Sequence, residues 1–460
     1  MTPAGRIRPR AGRSRSGRQR LLDGVPGAGA VIDIELIRRE PEKVEANLAR
    51  RRNPEHLRLL AEVRAADAQW RAALRIADKL RRRRNELSRK MADARGKGDP
   101  PPDLVAEAKS IPDQLKATEA EEGDLLKSRD TLLRRLPNLL DGSVPFGKDD
   151  SENVVLTTWG TPSPGGPELK SHSEVLEGLG MADFDRAHGV SGSGFYYLSG
   201  AFVLLDLALQ RFALDLLISR GFTPVVPPYM LRREPYEGVT DLADFENVMY
   251  KIEGEDLYLI ATSEHPLAAL HQGEILDERD LPIRLAGLSM NFRKEIGGHG
   301  VDQKGIFRVH QFEKVEQFVY CRPEQSPEIL EELRGNAEEV FRRLEVPYRV
   351  VNVCTGDLGS VAAKKYDIEA WFPRQQAYRE VVSCSNCTDY QARRLGIRLG
   401  RAGRPGKLVP HTLNSTAVAT SRGLAVLLEQ YQRPDGSVTI PDVLRPYLAG
   451  MKALTPPEGK

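Results

Sequence analysis

Cysteine is scarce in this chain: Cys321, Cys354, Cys384 and Cys387 are the only four among 460 residues. That is too few for a disulfide scaffold of this size, and it fits a reducing cytoplasm. Aromatic residues make up only 6%. The most apolar stretch, Phe202 to Ile218, is broken by Asp206, Gln210, Arg211 and Asp215, so no transmembrane segment and no membrane partner is expected. The eight histidines form no H-E-x-x-H spacing, and Cys384-x-x-Cys387 lacks a second ligand pair, which favours a structural reading over zinc. A G-x-x-x-x-G-K-[ST] loop is absent too, so any phosphate must be handled by side chains rather than by a glycine cradle.

What is present is segregated charge. The net charge of +2 conceals +6 over residues 1–30 and +9 over residues 51–97, leaving −13 for the remainder. Positive charge so concentrated points to a polyanionic partner. Residues 1–30 are Arg-, Gly- and Pro-rich without apolar periodicity, so a disordered basic extension is expected and a secretory signal is not. A transit peptide or translated upstream sequence would have the same look.

From about Pro41 to Arg95 the pattern is helical. Leu59, Val63, Ala66, Trp70, Ala73, Ala77, Leu80, Arg84, Leu87 and Met91 fall at alternating four- and three-residue steps, a coiled-coil seam. After Gly96–Pro102 a second seam follows through Ile111, Leu115, Thr118, Glu122, Leu125, Arg129, Leu132 and Leu136. Two such helices joined by a Gly/Pro turn predict an antiparallel hairpin with arms at about 51–97 and 102–136. The run Arg81, Arg82, Arg83, Arg84 near its tip is the candidate contact to nucleic acid. A helix pair serving only dimerisation is the plainer alternative. Residues 141–170, rich in Pro and Gly, read as a linker, and 171–460 as a second domain. There a helix over Phe202–Arg220 and short β runs at 223–226, 257–261, 307–312, 316–319, 348–353 and 378–382 predict an α+β fold, an antiparallel sheet with flanking helices.

The densest chemistry lies in Asn291-Phe292-Arg293-Lys294-Glu295, a Gly-rich loop to Gly305, and the run from Ile306 to Glu316. Strand alternation would put Arg308, His310, Phe312, Lys314 and Glu316 on one face. Guanidinium for phosphate, ring for base and carboxylate for amino group suit a nucleotide, although an exposed charge-paired hairpin has the same composition.

These residues resemble motif 2 of the class II aminoacyl-tRNA synthetases, and the chain from about Ile32 to Leu448 is similar to the seryl-tRNA synthetase family. Gly221–Tyr229 resembles motif 1, the dimer-forming element, and Asn414–Tyr431 resembles motif 3. Leu259–Glu264, Glu380–Cys387 and Tyr390–Arg394 are also typical. The resemblance implies a class II catalytic core at 171–460 and a tRNA-binding domain with a helical hairpin at 31–140. It implies ATP-dependent formation of seryl-adenylate and transfer of the seryl group to tRNA(Ser), with ATP, L-serine and Mg2+ bound, a cytoplasmic homodimer, and tRNA(Sec) as an open second partner.

By the same resemblance Arg293, Glu380 and Arg422 are catalytic. Thr262, Ser263, Glu264, Arg293, Glu316, Asn414 and Thr416 take serine. Lys294, Glu295, Arg308, Val309, Phe312, Val381, Val382 and Ser383 join Arg293, Glu380 and Arg422 around ATP, and Glu380 with Ser383 holds Mg2+. Arg81 to Arg84 meet tRNA. Where the family has G-R-D-T-R-G, this chain has Gly300-Val301-Asp302-Gln303-Lys304-Gly305, which removes one Arg and exchanges another for Lys. Two other readings stay open: a paralogue supplying seryl-adenylate or seryl-tRNA to a biosynthetic or self-resistance route, and a catalytically weak tRNA-binding or regulatory protein.

Overall fold

The computed structural model describes residues 32–96, 98–240, 247–295, 305–401, 404–406 and 408–457. The expected basic extension at 1–30 and most of the motif 2 loop, including His299 and the substituted positions 301, 303 and 304, lie outside these. Two compact units are present, the first ending at Leu139 and the second continuing from Leu140. Among the described residues no helix is long and apolar enough to cross a membrane.

In the first unit, helices α1 (Ile34–Arg39) and α2 (Pro41–Ala49) precede two long antiparallel arms, α3 (Pro54–Arg95) and α4 (Pro102–Arg135). At 1.5 Å per residue the 42 and 34 residues make arms of about 63 and about 51 Å. The continuous helix expected from Pro41 is interrupted at 50–53. Arg52 has a positive φ of 52°, and Asn53, held out of the helical region by the following proline, turns its side chain to accept the Glu55 N–H.

Most of the expected seam is buried, including Leu59, Val63, Ala66, Trp70, Ala73, Ala77, Leu87, Ile111 and Leu115. Arg84 is exposed, and Leu133 rather than Leu132 is buried. The seam also hides an ion cluster. Asp67 accepts from Arg38 at 2.7 and 2.9 Å and from Arg129 at 3.4 Å, and the Arg129 guanidinium lies 4.5 Å from the Trp70 ring centre. Its desolvation is offset by two carboxylates, Asp67 and Asp130, so the pairing fixes which turns of the two arms face each other.

The four consecutive arginines are not equivalent. Arg81 pairs with Asp78, Glu119 and Glu122, and Arg83 with Glu86 and Glu107. Arg82 and Arg84 are exposed, with no ion pair among the described residues.

The second unit is built on an eight-stranded sheet. Its strands, in chain order, are β1 (Val154–Trp159), β2 (Thr223–Val225), β3 (Ile283–Phe292), β4 (Gln311–Cys321), β5 (Tyr348–Asn352), β6 (Lys364–Phe372), β7 (Ala377–Thr388) and β8 (His411–Ala419). They are arranged β1-β5-β6-β7-β8-β4-β3-β2. All neighbours are antiparallel except β2 with β3. Residues 141–170 are therefore not simply a linker: they contribute edge strand β1, and Leu140 and Val144 pack with Val353, Leu358 and Ala362.

Helices α5 (Ala201–Ser219), α6 (Ser326–Arg343) and α7 (Thr420–Tyr431) bury apolar stripes against one face of the sheet, where Val315 and Val319 of β4 point and Gln317 donates to the Leu333 carbonyl. Alternation sends Phe312, Lys314 and Glu316 to the opposite face. The strand expected from Phe307 begins only at Gln311, so Arg308 and His310 precede the pleat and do not share that face as a strand would place them.

Candidate active site

A cavity of about 480 Å³ opens over the face of β4, β7 and β8 that carries polar side chains. Thr262, Glu264, Arg293, Glu295, Val309, Phe312, Glu316, Glu380, Val381, Ser383, Asn414, Thr416 and Arg422, all expected at the site, line it. Four others do not. Ser263 is fully buried against β3, so close to Gly287 that a Cβ there would stand 2.8 Å from its Oγ. Val382 points into the helix-side core, Lys294 sits 5.8 Å from the Tyr250 ring centre, and Arg308 lines a neighbouring recess with His310. Arg308 still reaches Glu295 at 3.7 Å across the boundary.

Two strand irregularities make this lining possible. Glu380 and Ser383 are three residues apart, and a regular strand would point them to opposite faces. Between them β7 carries a bulge: Ile368 pairs with Val382 and Glu369 with Glu380, so Val381 is the extra residue. The count shifts by one and both oxygen-bearing side chains face the cavity. In β8 a second bulge at Ala417 does the same for Thr416 and Ala419.

At one end the groups are cationic. Arg293 follows β3 directly; its Nε donates to the Ala261 carbonyl at 3.2 Å, and its guanidinium lies 5.2 Å from the Phe312 ring centre. Desolvation and the like charge of Arg422 hold its pKa below the usual arginine value. Arg422, from the first turn of α7, donates from Nη1 to the Glu380 backbone carbonyl at 2.9 Å and lies 3.4 Å from its carboxylate. Desolvation alone would raise the Glu380 carboxyl, but Arg422, Lys365 and Arg293 outweigh it and keep it below the ordinary range. Glu380 therefore stays ionised at neutral pH.

The other end is mixed in charge. The buried Lys314 Nζ lies 2.7 Å from Thr262 Oγ1 and 2.5 Å from Glu316 Oε2, and Thr416 Oγ1 donates to Glu316 at 3.3 Å. Gln391 Nε2 donates to Glu264 at 2.7 Å, while Asn414 Nδ2 points to Cys387 Sγ at 3.5 Å. Cys384 faces away, toward the Leu330 carbonyl, and burial raises both thiols far above their ordinary pKa. Among the described residues no three His, Cys, Asp or Glu side chains gather as a metal cluster. For a single magnesium ion the donor chemistry nevertheless fits. Glu380 and Ser383 offer hard oxygens on one face, and Asp367, the cross-strand neighbour of Ser383, leaves a buried Oδ1 without a hydrogen-bond partner.

Sequence reasoning put Lys314 on the face of Phe312 and Glu316 without giving it a role, and it missed Ser385 and Phe307 as lining residues. Ser385 lies two residues from Ser383 on β7, so the same strand periodicity could have found it. Phe307, which meets the guanidiniums of Arg379 and Arg422 at 5.4 and 5.2 Å, has no such signal.

Both units of the chain have known relatives. The tRNA synthetase class II core domain (G, H, P, S and T) matches residues 248–431, and the seryl-tRNA synthetase N-terminal domain matches residues 31–140. The serine–tRNA ligase of Methanocella arvoryzae is 56% identical over 425 residues, covering 92% of this chain and 100% of the relative. The chain belongs to the seryl-tRNA synthetase family. A seryl-tRNA synthetase from Pyrococcus horikoshii, solved with ATP, superposes with a TM-score of 0.87 at 50% identity over 93% of this chain and 100% of its own. The cytoplasmic serine–tRNA ligase of Naegleria fowleri, solved with AMP, does so at 0.83 and 37% identity, over 92% and 98%.

As a member of this family the chain has the expected class II fold, uses ATP, binds tRNA and is a serine–tRNA ligase. The matches lend no support to the adenylate-supplying paralogue or to the catalytically weak binding protein.

Proposed function

We propose that the cavity activates the carboxylate of L-serine on ATP and that the observation carrying this is the division of its charge. The Arg293–Arg422 end suits triphosphate and carboxylate, and the Thr262–Glu264–Glu316–Thr416 end suits a small hydroxylated ammonium compound. A carboxylate oxygen of serine bonds to the α-phosphorus as the bond to the bridging oxygen breaks and pyrophosphate leaves. Arg293 neutralises charge on the α-phosphate and the attacking carboxylate, and Arg422 holds the departing end in line. Phe312 stacks on adenine, Glu295 takes its amino group, and the Val309 backbone borders the ring. Glu380 and Ser383 would hold Mg2+, which offsets phosphate charge when bound.

Glu316 and Thr416 accept and donate around the serine hydroxyl, with Asn414 closing the pocket. Alanine leaves these groups unpaired and threonine meets the buried walls. Serine-dependent exchange of pyrophosphate into ATP tests the reading: kcat/KM for serine should exceed that for alanine by ~10³ or more. Exchange that is equal for the two amino acids would refute it.

Residues 31–140 form the tRNA-binding domain in this proposal, with residues 141–460 as the catalytic domain. Tight shape recognition of tRNA(Ser) falls to the hairpin, where Arg82 and Arg84 are the arginines of their run available for phosphate. tRNA(Sec) would be held in the same way.

A homodimer is supported by α5 and the motif 1 segment. Val203, Leu204, Leu207 and Ile218 on α5, with Val226, Tyr229 and Met230 beyond it, are large apolar side chains exposed to solvent in the single chain. Light scattering at micromolar concentration should read twice the chain mass, and a monomer there would remove this part of the proposal.

A further inference from the structure

Two carboxylates face the amino-acid end of the cavity, Glu264 at the start of the helix Glu264–Ala269 and Glu316 on β4. Holding two anions in one enclosed recess is unfavourable unless cations accompany them. One cation is built in. Lys314 sits two residues before Glu316 on the same strand face, 5% exposed, with Nζ 2.5 Å from Glu316 Oε2 and 2.7 Å from Thr262 Oγ1. Glu264 instead takes a neutral donor, the Gln391 amide. The charged and titratable groups that face Glu264 are Glu316 and Lys314 from β4, Arg293 after β3, Cys387 from β7 and Tyr236 from the helix Arg233–Val239. Arg293 belongs to the carboxylate and phosphate end, so the amino end holds one ammonium for two carboxylates.

We propose that Lys314 is a positioning residue of the amino-acid pocket, a resident ammonium that holds Glu316 aimed into the recess, so that the α-ammonium of the substrate completes the charge balance at Glu264. This rests on the serine-site reading above. Lys314 acts through Glu316 and Thr262 and is not required to touch substrate. Desolvation, followed by the charge of Glu316, pushes the Glu264 carboxyl up to about 7. Below that pH the free protein carries a proton on Glu264, and the incoming ammonium expels it to solvent as the carboxylate–ammonium pair forms. Serine affinity is therefore complete above pH 7 and is lost as pH falls through that value.

The test uses the full chain. Serine KM in ATP–pyrophosphate exchange is followed against pH for the wild type, Lys314→Met and Lys314→Arg. Heat of L-serine binding to the wild type is measured at about pH 6.5 in buffers of different ionisation enthalpy. The expected wild-type result is a serine KM that rises up to tenfold per pH unit below a break near 7, with net proton release on binding. Lys314→Met should raise serine KM ~30-fold or more, change ATP KM less than about threefold, and move the break to higher pH. Lys314→Arg should return the break toward its wild-type position. An unchanged break in Lys314→Met, with KM raised equally at all pH values, would show a merely structural lysine and overturn the proposal. No proton release by the wild type would overturn it as well, even if Lys314→Met fails to fold. A wild type that exchanges no pyrophosphate with serine would instead refute the serine-site reading itself.

Discussion

Arg293→Ala abolishes serine-dependent ATP–pyrophosphate exchange, with an expected loss in kcat/KM of ~10³-fold or more, about 4 kcal/mol at the transition state. The size follows from its setting. The guanidinium is oriented by the Ala261 carbonyl and the Phe312 ring, and it stands in a recess where its charge is already disfavoured by desolvation and by Arg422. It is stabilised by what the reaction brings, an α-phosphate and a carboxylate, so its contribution is greatest as those two anions are forced together. Arg293→Lys should recover only part of the activity, because an ammonium cannot bridge two oxygens in a plane. Exchange assays on both variants, with thermal melts to verify folding, decide the matter. Activity of Arg293→Ala within tenfold of wild type would remove Arg293 from the catalytic role.

The second large effect separates the two steps of the reaction. Replacing residues 51–136 by a short flexible linker should leave exchange within about threefold while reducing tRNA charging ~10³-fold, since the phosphate contacts that anchor the RNA go with the hairpin. A milder version is Arg82→Glu with Arg84→Glu. These side chains lack ion pairs among the described residues, so their reversal costs the helix little, whereas Arg81 and Arg83 are already neutralised by Glu119, Glu122 and Glu107. The double variant should weaken tRNA binding at every salt concentration and flatten the dependence of log K on log salt by about two contacts. Aminoacylation assays and salt titrations provide the readings, and normal charging by the deletion protein would show that the hairpin is not the RNA-binding element.

The parts of this architecture legible in the sequence are those governed by simple periods. The seam residues from Leu59 to Ala77 repeat every three or four positions, and most are buried where that spacing puts them. Phe312, Lys314 and Glu316 share a face because a strand has period two. Periodicity fails where the backbone departs from it. Arg308 and His310 precede the pleat, Asn53-Pro54 breaks a helix that apolar spacing alone would continue, and residues 154–159 pair with β5 despite the Pro- and Gly-rich stretches on both sides. Most of the residues lining the cavity were found through resemblance to a family rather than through composition. Resemblance carries residue types in order but not directions, and Ser263, adjacent to two lining residues, points into β3. Lys314 was visible as charge on the correct face, yet nothing in the sequence distinguishes a resident counter-charge from a surface lysine.

The inserted Val381 makes the length of β7 as consequential as its composition. Removing that one residue would leave Glu380 and Ser383 unchanged in kind, yet it would let the pleat run on regularly and turn them to opposite sides of the sheet. Losing a codon here would therefore disturb the site more than exchanging the amino acid that it encodes.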